Sequence, residues 1–383
     1  MNRTLSASFL IALFSSGFAA AFVVPNPPTL ENKAYVVMDA DSGRVLAASN
    51  PDVQLEPASL TKMMTSYIVE HALVKGRLNE SDQVSVSEHA WCRGTSAESC
   101  MYLPLNGSAS VIDMLRGVII QSGNDASKAL AEHIGGSEPA FAEIMNAEAK
   151  RLGMKNTNFM NATGLPDPAH LSTARDMATL AQAIIRDNPK YYPIYSEKEF
   201  TYNNIKQGNR NALLYTDPTV DGLKTGHTEN AGYCLVASSK RGNMRLISVV
   251  MGTDSMQARA DQTRALFNWG FSSYETIKPL AAGKVLGEAQ VWFGRESLVK
   301  AGLDRDLSIT LPRGQKDKVQ AVTRLLPDLE APIAKGQKVG EVVVTLDGKT
   351  IATQSVVAME AVEETNFIVR LWHHLKRFLS NLF

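Results

Sequence analysis

The spacing of apolar positions changes register along the chain, and each change marks a new part. Ala34-Tyr35-Val36-Val37-Met38-Asp39 and Arg44-Val45-Leu46-Ala47-Ala48 read as two strands joined through Asp41-Ser42-Gly43, a hairpin signal. Helical spacing then takes over. Pro57 opens an apolar helix that runs through Tyr67 and Ile68 and stops at Gly76. Residues 77–110 are loop-rich, Val111 to Gln121 is helical and ends at Ser122-Gly123-Asn124, and further helices are expected at about 125–134, 138–152 and 173–187. An irregular connection rich in aromatics and amides occupies 190–220. Strand-like runs return at 232–239 and 244–252 around Lys240-Arg241-Gly242-Asn243, and a helix follows at about 255–270. Strands first, helices in the middle and strands again predict a mixed α/β fold, with one sheet completed by distant parts of the chain and a helical second layer or lobe.

Near residue 276 the helical periodicity fades. Short strand candidates at 289–293, 306–311, 319–325, 339–346 and 350–358 are separated by turns containing Gly and Asp, the pattern of a small all-β domain. From Phe367 onward Phe367, Ile368, Leu371, Trp372, Leu375, Phe378, Leu379 and Leu382 form an apolar stripe against Arg370, His373, His374, Lys376 and Arg377. Such a helix is expected to lie in a membrane interface through residues 367–383 rather than dock on the protein's own core, and it is too interrupted by charge to span. At the other end Arg3, the apolar run Leu5 to Phe18 and Ala19-Ala20-Ala21 form a secretory signal with cleavage expected after Ala21. The expected organisation is a signal peptide over 1–21, a first domain over 22–276, an all-β domain over 277–360 and an amphipathic anchor over 361–383. The mature protein is expected outside the cytoplasm.

Composition narrows the function classes. The chain has 383 residues, with Lys+Arg and Asp+Glu balanced at 39 each, so its total charge recommends no nucleic acid or other polyanion. Cys92 and Cys100 bracket a polar, Gly-containing loop and either join in a local disulfide or stay reduced, which spacing alone leaves open. Cys234 lies in a strand-like run and reads as a buried free thiol. His89 stands near Cys92, but no fourth ligand has zinc spacing, so neither a metal nor a cofactor is expected.

The candidate chemistry begins at Ser59. Lys62 follows three residues later, on a neighbouring position of the same helix face, where amine and hydroxyl can share a hydrogen bond. An unprotonated lysine there takes the serine's proton and makes it a nucleophile. Two such common residues fall at this separation by chance about once in a chain this long, and Ser297-Leu298-Val299-Lys300 is a decoy of that kind. Two further motifs decide for Ser59: Ser122-Gly123-Asn124, and Lys224-Thr225-Gly226, taken to precede a strand. The ordered triplet is similar to that of serine β-lactamases and penicillin-binding proteins.

The resemblance extends past the motifs. The runs Pro57-Ala58-Ser59-Leu60-Thr61-Lys62-Met63-Met64-Thr65-Ser66-Tyr67, Gln121-Ser122-Gly123-Asn124-Asp125-Ala126, Ser172-Thr173-Ala174-Arg175-Asp176-Met177-Ala178 and Val220-Asp221-Gly222-Leu223-Lys224-Thr225-Gly226-His227-Thr228 resemble the D-alanyl-D-alanine carboxypeptidases of the penicillin-binding protein 5/6 group. The likeness covers nearly the whole mature chain, including the β domain and the amphipathic end. It implies a transpeptidase-type first domain, an antiparallel sheet with helices and a helical lobe. It also implies removal of the terminal D-alanine from peptidoglycan stem peptides through an acyl-enzyme, inhibition by β-lactams, and a part in peptidoglycan maturation and cell shape at the periplasmic face of the inner membrane.

Within that resemblance each residue takes a role. Ser59 is the nucleophile and Lys62 its base, and Lys62 needs a lowered pKa, for which Lys224 is the candidate cation. Ser122 is expected to bridge Lys62 and the leaving amine, and Asn124 to fix the substrate amide and the Lys62 head group. Lys224 and Thr225 are expected to hold the terminal carboxylate. After Gly226, the N–H of His227 pairs with that of Ser59 as an oxyanion hole, and the His227 ring shapes the pocket rather than acting as base. Arg259 matches the position of a carboxylate-binding arginine in the group and Arg210 is a weaker match, each open to the plain alternative of a surface arginine. A class A β-lactamase is disfavoured because that group carries Asp where Gly123 stands here, and because Glu143-Ile144-Met145-Asn146 does not fit its glutamate motif. An endopeptidase acting on cross-links stays open, and a non-catalytic wall-binding protein is argued against by three intact motifs.

Overall fold

The structure, a computed structural model, describes residues 24–92, 98–367 and 369–372. The expected signal peptide, and residues 368 and 373–383 of the expected anchor, lie outside the described residues. The strands β1 (Ala34–Asp39) and β2 (Val45–Ser49) form the expected hairpin, with Gly43 at a positive φ of 71° in the turn. A single 3-10 turn, Ala58–Thr61, leads into α1 (Lys62–Val74). A small pair, β3 (Gln83–Ser85) and β4 (Ser108–Ser110), precedes α2 (Val111–Arg116), which widens into a π turn over Gly117–Gln121. Then come α3 (Asn124–Gly135), α4 (Glu138–Leu152) and α5 (Ala174–Asp187). The hydroxyls of Ser110, Ser137 and Thr173 cap α2, α4 and α5 by accepting the N–H three residues on.

The connection over 190–220 holds a hairpin, β5 (Glu199–Tyr202) with β6 (Ile205–Gly208), and the short α6 (Leu213–Thr216). Neither follows from the hydrophobic pattern: β5 alternates between exposed and half-buried positions, β6 is exposed except at Gln207, and the segment carries little apolar signal. After them β7 (Val220–Thr228), β8 (Gly232–Arg241) and β9 (Met244–Thr253) complete an antiparallel sheet in the order β2-β1-β9-β8-β7, and α7 (Met256–Ser273) follows. The expectation that Lys224 precedes a strand is corrected: the Lys-Thr-Gly motif lies inside β7, at the sheet edge.

The sheet divides its side chains by the two-residue period of the strand. Val36 and Met38 of β1, Val236 of β8, and Ile247, Val249 and Met251 of β9 face a core shared with α1, α3, α4 and α5. Val37, Leu235, Ala237, Leu246 and Val250 face α7, where Leu266, Phe267 and Phe271 meet them.

The second region begins with β10 (Tyr274–Leu280) and continues through β11 (Val285–Trp292), β12 (Leu298–Gly302), β13 (Leu307–Pro312), β14 (Val319–Leu325), β15 (Leu329–Glu330), β16 (Lys338–Leu346) and β17 (Lys349–Ala358). Its main sheet runs β14-β16-β17-β12-β11-β15 around a core of its own, with Val299, Ala301, Val342, Val344 and Val356 at the centre. The pair β10–β13 joins it to the first domain: Thr276 Oγ1 donates to the Asp39 carboxylate at 2.6 Å, and Arg44 donates to the Thr310 carbonyl at 2.6 Å. β10, β12 and β15 are absent from the sequence expectation. The decoy Ser297–Lys300 straddles the start of β12, with both residues exposed.

Cys92 and Cys100 are joined in a disulfide, and Cys234 is a buried free thiol. Among the described residues no cluster of His, Cys, Asp or Glu could hold a metal ion, and no helix is long and apolar enough to cross a membrane.

Candidate active site

Ser59 sits on the 3-10 turn between the sheet and α1, on a tightly packed support. Ala58 takes a left-handed φ of 48°, and a Cβ on Gly164 would overlap the Ala58 carbonyl, so Gly164 lets the following loop close over the turn. From the other side Gly226 of β7 comes so near that a Cβ there would stand 2.9 Å from the Pro57 carbonyl and 3.3 Å from the Leu60 nitrogen. The nucleophile's turn is thus pinned between the helical lobe and the sheet edge.

Lys62 opens α1 one turn after Ser59. Its ammonium is within 3.1 Å of Ser59 Oγ and donates to the Thr163 carbonyl at 2.6 Å, and the side chain is 1% exposed. Burial lowers its pKa to about 7, helped by the positive charge of Arg210 and, more weakly, of Lys128, against the raising effect of Glu98 and Asp125. Burial is thus the first cause and Arg210 the second, and the expected repulsion between Lys62 and Lys224 is felt at Lys224. Lys224 is itself held well below the ordinary lysine value, by burial and then by the charges of Lys62, Arg210 and Arg259.

Ser122 ends the π turn with a left-handed φ of 61°, which aims its short side chain back toward the sheet. Its hydroxyl accepts a hydrogen bond from Lys224 Nζ at 2.9 Å, and Lys224 also donates to the Thr225 carbonyl at 3.2 Å. The hydrogen bonds of the described residues therefore tie Ser122 to Lys224, not to Lys62. Asn124 departs from expectation in the same way: its amide nitrogen donates to Glu98 Oε2 at 2.7 Å rather than reaching Lys62. Beside it the Asp125 carboxylate accepts the backbone N–H groups of Met101 and Leu103, which ties that segment to α3. Gly123 has no room for a side chain, since a Cβ would lie 2.9 Å from Asp125 Oδ1 and 3.0 Å from the Met101 nitrogen. That close approach leaves no room for the Asp of the β-lactamase motif at this position.

These groups line or underlie one open cleft of about 620 Å³, walled by Ser59, Glu98, Ser99, Ser122, Arg210, Thr225, Gly226, His227, Tyr233, Met256 and Arg259. Arg259 is buried and donates to the Gly226 carbonyl at 3.2 Å, with its guanidinium 5.6 Å from the centre of the Tyr233 ring. Arg210 is exposed at the cleft. The His227 ring is exposed and stacks on Tyr233 with ring centres 4.0 Å apart. Of the ten residues expected at the site, the cleft wall gathers seven, Lys62 and Lys224 lie buried beneath it, and Asn124 reaches it through Glu98. Sequence reasoning missed Glu98, Tyr233 and the Thr163 carbonyl. Tyr233 is paired with His227 across β7 and β8 and follows from hairpin register, whereas Thr163 and Glu98 lie in loops with no periodic signal.

Comparison with known proteins gives the same picture along the whole chain. Residues 21–255 match the family described as D-alanyl-D-alanine carboxypeptidase, and residues 274–364 match the penicillin-binding protein 5 C-terminal domain. The chain is 49% identical over 392 residues to D-alanyl-D-alanine carboxypeptidase DacA of Haemophilus influenzae, covering all of both chains. Among solved structures, penicillin-binding protein 5 from Haemophilus influenzae superposes with a TM-score of 0.80 at 50% identity, covering 89% of this chain and 100% of that one. Penicillin-binding protein D2 from Listeria monocytogenes in its cefotaxime-bound form matches with a TM-score of 0.59 at 30% identity, covering 64% of this chain and 99% of that one.

Proposed function

The chain belongs to the D-alanyl-D-alanine carboxypeptidase family, and from that premise we propose how its site performs the reaction. The protein is a serine-type D-Ala-D-Ala carboxypeptidase that acts on peptidoglycan and binds β-lactams. The observation that carries the mechanism is the contact between a buried lysine with a pKa of about 7 and the Ser59 hydroxyl. In its neutral form Lys62 keeps an N–H on the Thr163 carbonyl and turns its lone pair to Ser59. It takes the hydroxyl proton as Oγ attacks the carbonyl between the two terminal D-alanines.

The negative charge that develops on that carbonyl oxygen falls to the N–H groups of Ser59 and His227, an oxyanion hole of the kind that contributes about 3 to 4 kcal/mol per donor. Lys224, Thr225 and Arg259 receive the terminal carboxylate, with Arg210 adding positive charge at the cleft. Ser122 passes its hydroxyl proton to the leaving nitrogen of D-alanine and takes one in turn from Lys224, which donates a hydrogen bond to it. Water then attacks the acyl-enzyme by the reverse proton path and releases the shortened peptide. A β-lactam enters the same path at Ser59, and its slow release makes it an inhibitor.

The direct test is covalent labelling by a fluorescent penicillin. Wild type is expected to label one-to-one and Ser59→Ala not at all; equal labelling of both would remove Ser59 from the mechanism.

We further propose that the protein is exported and held at the outer face of the cytoplasmic membrane by residues 367–383. The described part of that segment supports this reading, because Phe367, Leu371 and Trp372 are 79%, 62% and 63% exposed. Deleting 367–383 is expected to give a soluble, active enzyme, and a truncated protein that still fractionates with membranes would refute the anchor.

A further inference from the structure

We propose that Glu98 selects stem peptides carrying a positively charged amine upstream of the scissile bond, so that the cleft reads its substrate at both ends. The inference rests on the carboxypeptidase reading above. Arg210, Arg259 and His227 give the cleft wall its basic groups, and Glu98 is the one acid lining it among the described residues. The two signs stand on different walls. Arg259 belongs to α7 and bonds the backbone of β7, on the sheet side. Glu98 bonds Asn124 of α3 and pairs with Lys128 of the same helix, on the side of the helical lobe. A basic cleft alone suits a terminal carboxylate; a carboxylate on the opposite wall adds a preference for a cation at the other end of the ligand.

Glu98 retains capacity for such a cation. Its two partners, Asn124 Nδ2 at 2.7 Å and Lys128 Nζ at 3.7 Å, both address Oε2. Oε1 has no hydrogen-bond partner among the described residues, and the side chain is 20% exposed, open enough to meet a ligand and sheltered enough for the pairing to count. The Asn124 bond fixes the carboxylate in place, so little rotamer freedom remains to be lost on binding. On this proposal the substrate's terminal carboxylate lies toward Arg259 and Thr225 and its acyl portion beyond Ser59, toward the Glu98 wall. A primary ammonium on that portion, one or two residues before the terminal pair, is the group that matches.

The test uses the full chain and two synthetic peptides ending in Lys-D-Ala-D-Ala, both acetylated at the α-amine, one with a free lysine ε-amine and one with it acetylated. D-alanine release gives kcat/KM for each. In wild type the free-amine peptide is expected to be favoured about five- to tenfold, the scale of one partly sheltered ion pair, and the preference should shrink as salt is raised to about 0.5 M. In Glu98→Gln the ratio should fall to near one, and in Glu98→Lys it should invert. A ratio near one in wild type, or an undiminished ratio in Glu98→Gln, overturns the inference while leaving the carboxypeptidase intact. Failure of wild type to release D-alanine from either peptide overturns both. The wild-type ratio and its salt dependence decide the matter even if the variants do not fold.

Discussion

Lys62 Nζ stands 3.1 Å from Ser59 Oγ at a depth where the lysine is 1% exposed, so the base that the nucleophile needs is made by burial. The pKa of about 7 sets a pH dependence with a definite sign. Only the neutral amine accepts the proton, so the acylation rate should rise with pH, about tenfold per unit below 7, and level off above it. The rate of labelling by a fluorescent penicillin between pH 5 and 9 checks this; a flat profile contradicts it. Stability follows the same group. An unfolded lysine keeps its proton up to 10.5 while the folded one sheds it near 7, so this contribution rises with pH across that window.

A second buried group titrates in the opposite sense. Glu70, fully buried on α1, accepts hydrogen bonds from Tyr195 Oη at 2.7 Å and Asn188 Nδ2 at 3.0 Å, and burial raises its pKa from 4.5 to about 8. The folded state holds the proton longer than the unfolded one, so this contribution is present in full below 4.5 and is lost as pH rises toward and through 8. Glu70→Gln should therefore lose less stability than wild type between pH 5 and 9, by a few kcal/mol at the alkaline end. Parallel thermal melts across that range are the measurement, and identical slopes would contradict it.

Gly226→Ala tests the packing of β7 against the nucleophile's turn. The new Cβ would stand 2.9 Å from the Pro57 carbonyl, which is backbone and cannot swing aside. About 1–3 kcal/mol of stability should be lost, with a fall in acylation rate larger than that loss explains, because the displaced atoms belong to the Ser59 turn. A variant that melts and acylates like wild type would show that the approach is looser than the geometry states.

Arg259→Ala removes a buried guanidinium that bonds the Gly226 carbonyl and faces the cleft. We expect kcat/KM for a peptide with a free C-terminal carboxylate to fall about 10- to 100-fold. The loss should be smaller for the same peptide with an amidated C-terminus. Equal losses on both would make Arg259 a structural support of β7 and not a carboxylate ligand.

These expectations show which features sequence could carry. α1, α4 and α5 were legible because helical spacing runs between recognisable ends, such as Gly76 and Gly153 after their helices and Thr173 before α5. Ser59 and Lys62 were legible as a pair because both lie within one turn. β7 escapes the pattern, since burying Lys224 and Thr225 at a functional edge breaks the apolar alternation by which a strand is recognised. The group that lowers Lys62 could not be read either. Arg210 and Lys224 lie at similar sequence distances from it, and only the folded geometry puts burial first and adds Arg210. The partners of Ser122 and Asn124 changed for the same reason: Lys224 and Glu98 reach them across loops whose path has no periodic signature.

The most direct test of the account is D-alanine release from a pentapeptide ending in D-Ala-D-Ala, measured for wild type and Ser59→Ala under one set of conditions. Wild type is expected to turn over and Ser59→Ala to lose at least about 10³-fold, the scale seen when a nucleophile is removed. Comparable release by the two proteins, or none from a wild type that is fully labelled by penicillin, would contradict the account.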